Sequence, residues 1–244
     1  MITNGRSVAD HRVDTSGILY LKNDRATCTG VLVAERILAT ASHCFSSGLS
    51  NAAALVGAFW NGKSVIYADR FRVDSRFPVE GRDIAFMVLK NSDRDGDTPS
   101  GSGLNITPMT GLTDNALGIP DMVTIMGYSG HPAHKDGSSY DLESCANVPL
   151  DQGGLLSADL AQAKGFCWDY KEVKQEDGAV ERVRITGSVI QKGASGGPWF
   201  FYDKDRERVS LYAVHMGANN KGSVITVKAK KAFDAAVEQA KKLD

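Results

Sequence analysis

The sequence predicts an all-β protein of short antiparallel strands that ends in one helix. Short apolar runs follow one another at turn-length spacing, which is typical of an antiparallel barrel or sandwich. Asn61-Gly62 lies between two apolar stretches, and this dipeptide is the strongest local indication of a β-hairpin. A polar, glycine-rich break at residues 91–103 interrupts the pattern. We therefore expect two β domains, at residues 1–104 and 105–244.

Apolar runs bounded by turn residues indicate the strands of the first half. They lie at residues 18–21, 28–33, 37–41, 53–56, 71–73 and 84–89. The last of them is almost continuously apolar. Each is short enough to be a strand rather than a buried helix.

The second half combines strand-like runs with a long insertion and a helical end. Strands are expected at residues 122–126, 183–190, 199–202 and 209–214. Residues 131–178, which hold two of the four cysteines, are expected to be an irregular insertion. Apolar residues from Ala229 to Leu243 recur at helical offsets, so a helix is predicted at about residues 228–243. We expect this helix to dock on its own barrel rather than on a partner.

The bulk composition excludes several classes of function. The chain has 28 basic and 29 acidic side chains, and this balance does not indicate a nucleic-acid partner. No apolar run reaches the roughly 18 residues of a transmembrane helix, so no membrane span is expected. Residues 1–7 lack the apolar segment of a signal peptide, so either the protein stays inside the cell or its leader precedes this sequence.

The chain offers only weak indications of a metal site. Asp93, Asp95 and Asp97 resemble the start of a calcium loop, but no glutamate closes a twelve-residue loop. His131 and His134 flank a proline with no acidic partner nearby, and the chain has no C-x-x-C pair for structural zinc. Neither a metal nor an organic cofactor is expected.

Ser195 lies among small residues in Gly193-Ala194-Ser195-Gly196-Gly197-Pro198. Glycines adopt backbone conformations closed to other residues and let a substrate approach the chain closely. A loop of this kind presents a hydroxyl while its backbone N–H groups point at one place. Acyl transfer needs both, as a nucleophile and as a site for the negative oxygen. The loop alone is also compatible with an ordinary turn.

Two further stretches, Thr40-Ala41-Ser42-His43-Cys44 and Asp83-Ile84-Ala85-Phe86, precede this loop. In this order, the three segments resemble T-A-A-H-C, D-I-A-L and G-D-S-G-G-P of the chymotrypsin-like serine proteases. Other folds with the same catalytic triad have it in a different chain order. The resemblance covers nearly the whole chain. It implies two antiparallel Greek-key β-barrels packed against each other, with the active site in the cleft between them.

The reaction assigns a role to each residue that the resemblance singles out. Ser195 is the candidate nucleophile, His43 the general base, and Asp83 the group that orients the imidazole. Backbone N–H groups of Gly193 and Ser195 would form the oxyanion hole. Asp69 and Asp74 are alternative acids, but neither opens an apolar strand as Asp83 does.

The resemblance also implies disulfides and hence an oxidising compartment. It implies a bond between Cys28 and Cys44 that clamps the histidine segment to the preceding strand. Cys145 and Cys167 would then form the second bond, which is one of three connectivities that four cysteines allow. The alternative is four reduced thiols in a cytosolic protein. We expect disulfides, and a secreted or periplasmic location.

Ala194 departs from the family, because digestive members have an aspartate before the nucleophile. In them this carboxylate pairs with a newly cut N-terminal amine and completes the oxyanion hole. Alanine offers no charge, so this ion pair cannot form here. The sequence therefore predicts an active site that is organised without that switch.

The first-subsite residues suggest a preference for acidic substrates. Val189, six residues before the nucleophile, replaces the aspartate of trypsin-like members, which argues against basic specificity. His215 lies in a segment that resembles G-I-H-W-G of the glutamyl-endopeptidase (V8-type) branch, whose histidine contacts an acidic side chain. The candidate substrate-binding residues are Val189, Ile190, His215, Met216 and Gly217. Glu, Asp or Gln is the expected residue at the cleavage position, and a histidine that merely satisfies its neighbours is the alternative.

Three functional classes are compatible with the sequence. The first is a serine endopeptidase acting on a polypeptide substrate. The second is a catalytically silent relative that uses the same fold as a binding module, and an intact triad argues against it. The third is an esterase or acyltransferase with the same site chemistry. A monomer is expected.

Overall fold

The computed structural model describes residues 6–7, 18–22, 27–46, 55–60, 65–91, 105–106, 122–128, 142–149, 160–162, 169–174, 180–185, 193–203, 208–216 and 221–243. Within them the chain forms sixteen strands and two helices. The strands of the first half are β1 (Arg6–Ser7), β2 (Ile18–Lys22), β3 (Thr27–Ala34), β4 (Ile37–Thr40), β5 (Leu55–Trp60), β6 (Val65–Pro78) and β7 (Ala85–Asn91). Those of the second half are β8 (Asn105–Ile106), β9 (Met122–Tyr128), β10 (Leu142–Pro149), β11 (Leu160–Gln162), β12 (Asp169–Lys174), β13 (Val180–Ile185), β14 (Pro198–Asp203), β15 (Arg208–His215) and β16 (Lys221–Val224). The helices are α1 (His43–Ser46) and α2 (Val227–Ala240).

Strands β2 to β7 form a closed barrel in the order β2-β3-β4-β7-β6-β5. All neighbouring strands are antiparallel, and β5 pairs back with β2 to complete the circle. The side chains of β4 are buried throughout, as are those of β7 from Ala85 to Leu89. The apolar run at 84–89 is continuous because the strand is covered on both faces. Phe86 of β7 packs edge-to-face against Phe233 of α2, with 5.6 Å between ring centres.

The second half is organised around one eight-stranded sheet. Seven strands follow the order β1-β10-β9-β14-β15-β16-β11, and β8 pairs with β15 in parallel. Strands β12 and β13 form a separate antiparallel hairpin. The eight-stranded sheet does not close into a barrel within the described residues. Strand β1 belongs to this sheet although the next strand along the chain, β2, belongs to the barrel.

Helix α2 packs on the barrel formed by the first half of the chain. The helix contacts β7 and β6, and its completely buried residues include Ala229 and Ala236, whose small side chains allow close packing. Gln239 Nε2 donates a hydrogen bond to Oδ2 of Asp74 at 3.3 Å. The helix thus docks on a barrel of its own chain, as expected, and the barrel is the one formed by the first half of the chain rather than the sheet of its own half. Neither described helix is long and apolar enough to cross a membrane.

The structure confirms a chain of mostly strands with a C-terminal helix and corrects one region. The irregular insertion expected at 131–178 contains β10, β11 and β12. These strands have mixed polar sequences, and β10 is held by its pairing with β9 and β1. Such pairing joins distant parts of the chain, so the local sequence carries little signal for it. Apart from Asn91 at the end of β7, the polar break at 91–103 lies outside the described residues, and the domain division near it stays a prediction.

Candidate active site

His43 lies in a tight turn directly after β4, at the start of the short helix α1. The Cys44 N–H donates to the Ala41 carbonyl at 3.1 Å, and the Phe45 N–H donates to the Ser42 carbonyl at 3.0 Å. A disulfide joins Cys44 to Cys28 on β3, as the resemblance implied. The turn and the disulfide together fix the segment that carries the imidazole to the end of the barrel. Cys167 lies outside the described residues, so the second disulfide stays a prediction.

Asp83 lies in the loop between β6 and β7. The Val79 N–H donates to the Ile84 carbonyl at 2.9 Å, and the Arg82 N–H donates to the Val79 carbonyl at 3.0 Å. Ser42 Oγ also donates to the Ile84 carbonyl, at 2.7 Å. This bond ties the histidine segment directly to the loop that carries the aspartate.

Both carboxylate oxygens of Asp83 are used by His43. Oδ1 accepts the backbone N–H of His43 at 2.9 Å, and Oδ2 lies 2.7 Å from Nδ1 of the ring. The Asp83 side chain is 18% exposed and that of His43 is 44% exposed. The carboxylate is therefore largely covered, while the imidazole is open to a substrate.

The pKa of Asp83 is lowered from its ordinary value by its hydrogen bonds. Burial acts in the opposite direction and raises the pKa of this carboxyl group. The ring and backbone of His43, with the Ser42 backbone, outweigh burial because they stabilise the charged form. Asp83 is therefore ionised at neutral pH and acts as a hydrogen-bond acceptor.

Ser195 lies in the loop that leads into β14, and backbone hydrogen bonds define the loop's shape. The Gly197 N–H donates to the Ala194 carbonyl, and the Gly196 N–H donates to the His215 carbonyl, each at 2.9 Å. Gly196 has a φ of 86°, and a Cβ atom there would overlap the carbonyl oxygen of Thr29. Only glycine satisfies both the backbone conformation and the close approach of β3.

The loop of Ser195 meets the histidine segment at the disulfide. The Thr29 N–H donates to the Ser195 carbonyl at 2.7 Å, which docks the loop on β3. The Cys44 sulfur lies 3.9 Å from the Ser195 carbonyl oxygen and 3.9 Å from Nε2 of His43. The Ser195 carbonyl oxygen and Nε2 of His43 are therefore at most twice that distance apart. The structure thus brings the segments of all three predicted catalytic residues to one end of the barrel.

His215 is the predicted substrate-binding residue with the most defined surroundings. It ends β15, is completely buried, and its ring stacks on that of Trp199 with 5.9 Å between ring centres. Trp199 Nε1 donates a hydrogen bond to Nδ1 of His215 at 3.1 Å. Met216 follows at the strand end, where its N–H donates to the Lys221 carbonyl at 2.9 Å. The other predicted substrate-binding residues, Val189, Ile190 and Gly217, lie outside the described residues.

One cluster of potential metal ligands occurs among the residues that the structure describes. It comprises Cys28, His43 and Cys44, whose ligand atoms lie within 4.8 Å of one another. Both sulfurs are consumed by the disulfide, and metal binding by cysteine requires a thiolate. The cluster therefore lacks the chemistry of a metal site in this oxidised form.

The family model described as trypsin matches residues 2–233. The chain belongs to the trypsin family. A comparison with curated proteins found no match. Members of the trypsin family are serine-type peptidases with a two-barrel β fold, and they act on polypeptides through a Ser-His-Asp triad.

Three residues with clear roles in this trypsin-family site were not assigned one from the sequence. They are Thr29, which binds the nucleophile loop, Ser42, which binds the aspartate loop, and Trp199, which binds His215. Each acts through a hydrogen bond to a residue at least 16 positions away. Ser42 lies inside a recognised motif and Trp199 directly follows one, so the motifs mark their positions but not their partners. Thr29 has no local signal beyond its place beside Cys28.

Proposed function

We propose that the protein is a serine endopeptidase in which Ser195, His43 and Asp83 form the catalytic triad. Ser195 Oγ attacks the scissile carbonyl carbon and passes its proton to Nε2 of His43. The electron pair of the carbonyl moves to its oxygen, which the N–H groups of Gly193 and Ser195 receive. His43 then returns the proton to the leaving amine as the C–N bond breaks. Water hydrolyses the resulting acyl-enzyme by the same steps in reverse.

The bond between Nδ1 of His43 and Oδ2 of Asp83 carries this proposal, together with the family. An ionised carboxylate can only accept, so the ring proton resides on Nδ1. Nε2 therefore offers a lone pair, which is what a general base for a serine hydroxyl requires. Asp74, the alternative acid, instead contacts Gln239 and lies 3.9 Å from Lys90.

A fluorophosphonate probe tests the nucleophile, because it reacts only with an activated serine. We expect one label per chain on Ser195, and none on the Ser195→Ala variant. Absence of labelling in the wild type would favour the catalytically silent binding module. A peptide-library digest on the same samples separates an endopeptidase from an esterase, since an esterase would cleave only activated esters.

We further infer that the first subsite prefers Glu, Asp or Gln, and His215 supports this inference. The Trp199 N–H can only donate, so Nδ1 of His215 must accept. The neutral ring consequently carries its proton on Nε2 and is a hydrogen-bond donor there. If Nδ1 were protonated as well, its N–H would point at the N–H of Trp199, and this hydrogen bond would be lost. A neutral donor suits the oxygen of a carboxylate or an amide.

Recognition by a neutral donor sets an upper limit on the preference for Glu over Gln. A hydrogen bond to a charged acceptor is worth about 1 kcal/mol more than one to a neutral acceptor. We therefore expect kcat/KM for Glu substrates to exceed that for Gln substrates by no more than about tenfold. A far larger ratio would indicate a cationic group in the subsite.

His215→Ala tests the specificity directly. It should lower kcat/KM on Glu and Gln substrates far more than on substrates with an apolar residue at that position. Trp199→Phe is the companion variant, because it keeps an aromatic ring against His215 and removes the donor that fixes the tautomer. It should reduce the selectivity in part. Equal losses on all substrates in both variants would contradict the inference.

The disulfide supports a proposed secreted or periplasmic location. Disulfides persist in oxidising compartments and are rare in the cytosol of most organisms. The bond between Cys28 and Cys44 lies beside the catalytic histidine, so its loss should loosen the site. Expression in reducing and oxidising compartments, followed by a count of free thiols and an activity assay, tests this. If the protein were equally active with the disulfide reduced, the disulfide would no longer support the proposed location.

A further inference from the structure

Thr29 is a completely buried polar residue at the junction of the barrel and the nucleophile loop. It lies on β3 beside Cys28, and its backbone register pairs it with Tyr20 of β2. Its N–H and its hydroxyl, however, both bind residues of the second half of the chain. A buried hydroxyl whose hydrogen-bond partners lie outside its own sheet is expected to have a role in the region that it contacts.

The hydroxyl of Thr29 is used as donor and as acceptor. It accepts the Tyr128 N–H at 2.9 Å, and it lies 2.9 Å from the carbonyl oxygen of Gly193. The Tyr128 carbonyl oxygen is farther away, at 3.5 Å. A hydroxyl has one proton to donate, and the shorter distance selects Gly193 as its acceptor. Strand β9 thus orients the hydroxyl that holds the loop.

Three successive carbonyls of the nucleophile loop are hydrogen-bonded, and Thr29 holds two of them. The Gly193 carbonyl accepts the Thr29 hydroxyl, and the Ser195 carbonyl accepts the Thr29 N–H at 2.7 Å. The Ala194 carbonyl between them accepts the Gly197 N–H. Because a peptide unit is planar, fixing the carbonyl of one residue also fixes the direction of the N–H of the next residue.

The peptide between Gly193 and Ala194 lies between the two oxyanion-hole donors. The N–H groups of Gly193 and Ser195 belong to the peptide planes on either side of it, so the angle between these two donors depends on the backbone torsions of Gly193 and Ala194. Anchoring the middle plane restrains both residues. Gly193 has a φ of 106°, so its backbone occupies a region that only glycine adopts readily. Such a residue resists rotation poorly by itself. Ala194 offers no charge that could anchor the plane by an ion pair.

We propose that Thr29 is a positioning residue of the active site, whose hydroxyl locks the peptide between Gly193 and Ala194. The first barrel thereby presets the oxyanion hole formed by the second half of the chain. The inference rests on the proposed function, because it assumes that the N–H groups of Gly193 and Ser195 receive the oxyanion. It also explains how a loop with alanine at position 194 keeps its shape.

Thr29→Val and Thr29→Ser test the proposal as a pair. Valine keeps the branched shape and removes the hydroxyl, whereas serine keeps the hydroxyl. Removal of one oxyanion donor lowers kcat about 10²- to 10³-fold in such enzymes. Misorientation without removal should have a smaller effect. We expect Thr29→Val to lower kcat about 10- to 100-fold with KM nearly unchanged, and Thr29→Ser to stay within about threefold of wild type.

Tyr128→Phe is the matched control for stability. It removes a buried hydrogen bond at the same junction, from the Tyr128 hydroxyl to the Ile18 carbonyl at 3.0 Å, and this bond does not involve the nucleophile loop. It should lower Tm without lowering kcat. All rates are expressed per active site counted with the fluorophosphonate probe. If Thr29→Val does not fold, Thr29→Ala gives the same comparison.

A peptidyl boronate provides a readout that a merely structural role would not move. Its tetrahedral adduct with serine places an oxygen in the oxyanion hole, so its affinity should fall in parallel with kcat in Thr29→Val. Unchanged kcat in Thr29→Val, or an equal loss in Thr29→Ser or Tyr128→Phe, would overturn the proposal. These outcomes require an active, labelled wild type. An unlabelled wild type refutes the proposed function instead, along with the role of Thr29.

Discussion

Asp83→Asn is expected to inactivate the enzyme by reversing the tautomer of His43. The two contacts with His43 dictate how the new amide is oriented. The backbone N–H of His43 needs an acceptor and will retain the amide oxygen at the position of Oδ1. The amide NH₂ group then faces Nδ1 across a distance of 2.7 Å. Nδ1 must become the acceptor, so the ring proton moves to Nε2, where it blocks the uptake of the serine proton.

The expected loss of kcat in Asp83→Asn reflects the loss of the general base and not unfolding of the protein. The matching substitution in the reference enzyme of the family lowers kcat by about 10⁴-fold with the geometry intact. This corresponds to about 5 kcal/mol of transition-state stabilisation. No compensating tautomer is available here, because both carboxylate oxygens of Asp83 are engaged by one residue.

The assay compares kcat and KM of Asp83→Asn with those of Asp74→Asn on one peptide substrate. Asp74 is also a partly covered carboxylate, with 19% side-chain exposure, and its contacts are Lys90 and Gln239 rather than the site. We expect full activity in Asp74→Asn and an unchanged KM in Asp83→Asn. A loss of less than tenfold in Asp83→Asn, or a comparable loss in Asp74→Asn, would refute the reasoning.

The same variant has a defined effect on acid stability. The pKa of Asp83 is lowered in the folded protein, mainly by His43 against the opposing effect of burial. Its ionised form therefore contributes stability above the ordinary aspartate pKa of about 3.9, and this contribution is lost as the pH falls through the lower folded pKa. The difference in unfolding free energy between wild type and Asp83→Asn should thus narrow as the pH falls from about 5. Urea titrations over this range measure it.

Three further predictions concern residues that frame the site. Ala194→Asp should lower the unfolding free energy by about 3 to 5 kcal/mol, because a carboxylate at this buried position, packed against Gly127, would lose its hydration. A urea midpoint equal to that of wild type would contradict this. Gly196→Ala should lower the free energy of unfolding by at least about 2 kcal/mol and remove most activity, because its Cβ would overlap the backbone of Thr29. Normal thermal stability would show that the loop relaxes. Burial raises the pKa of Tyr212 to about 12. The wild type should therefore lose stability between about pH 10 and 12, and Tyr212→Phe should lack this loss. Alkaline denaturation curves of the two proteins measure the difference.

Short-range patterns account for the features that the sequence predicted correctly. The apolar run at 84–89 indicated a buried strand, and the offsets between Ala229 and Leu243 indicated a helix. The order of the three motifs, with histidine first and serine last, led to the family. These signals are local because each reflects how neighbouring residues in one segment share a face or a turn.

Pairings between distant segments account for what the sequence did not predict. Strand β10 has no strong pattern of its own and exists through its neighbours β9 and β1. Helix α2 crosses from the second half of the chain to pack on β7 of the first barrel. Neither relationship leaves a mark within a window of ten or fifteen residues.

The sequence by itself determined which side chains are available for acyl transfer, because a serine between glycines, a histidine beside a cysteine and an aspartate before an apolar strand are local patterns. Only the tertiary structure decided what controls those groups. Thr29 holds the nucleophile loop, Trp199 sets the tautomer of His215, and Ser42 fixes the loop of Asp83. Hydrogen bonds of this kind depend on distances of about 3 Å between residues far apart in the chain. Such distances exist only after the strands have paired and, for Thr29, only after the barrel and the second sheet have packed together.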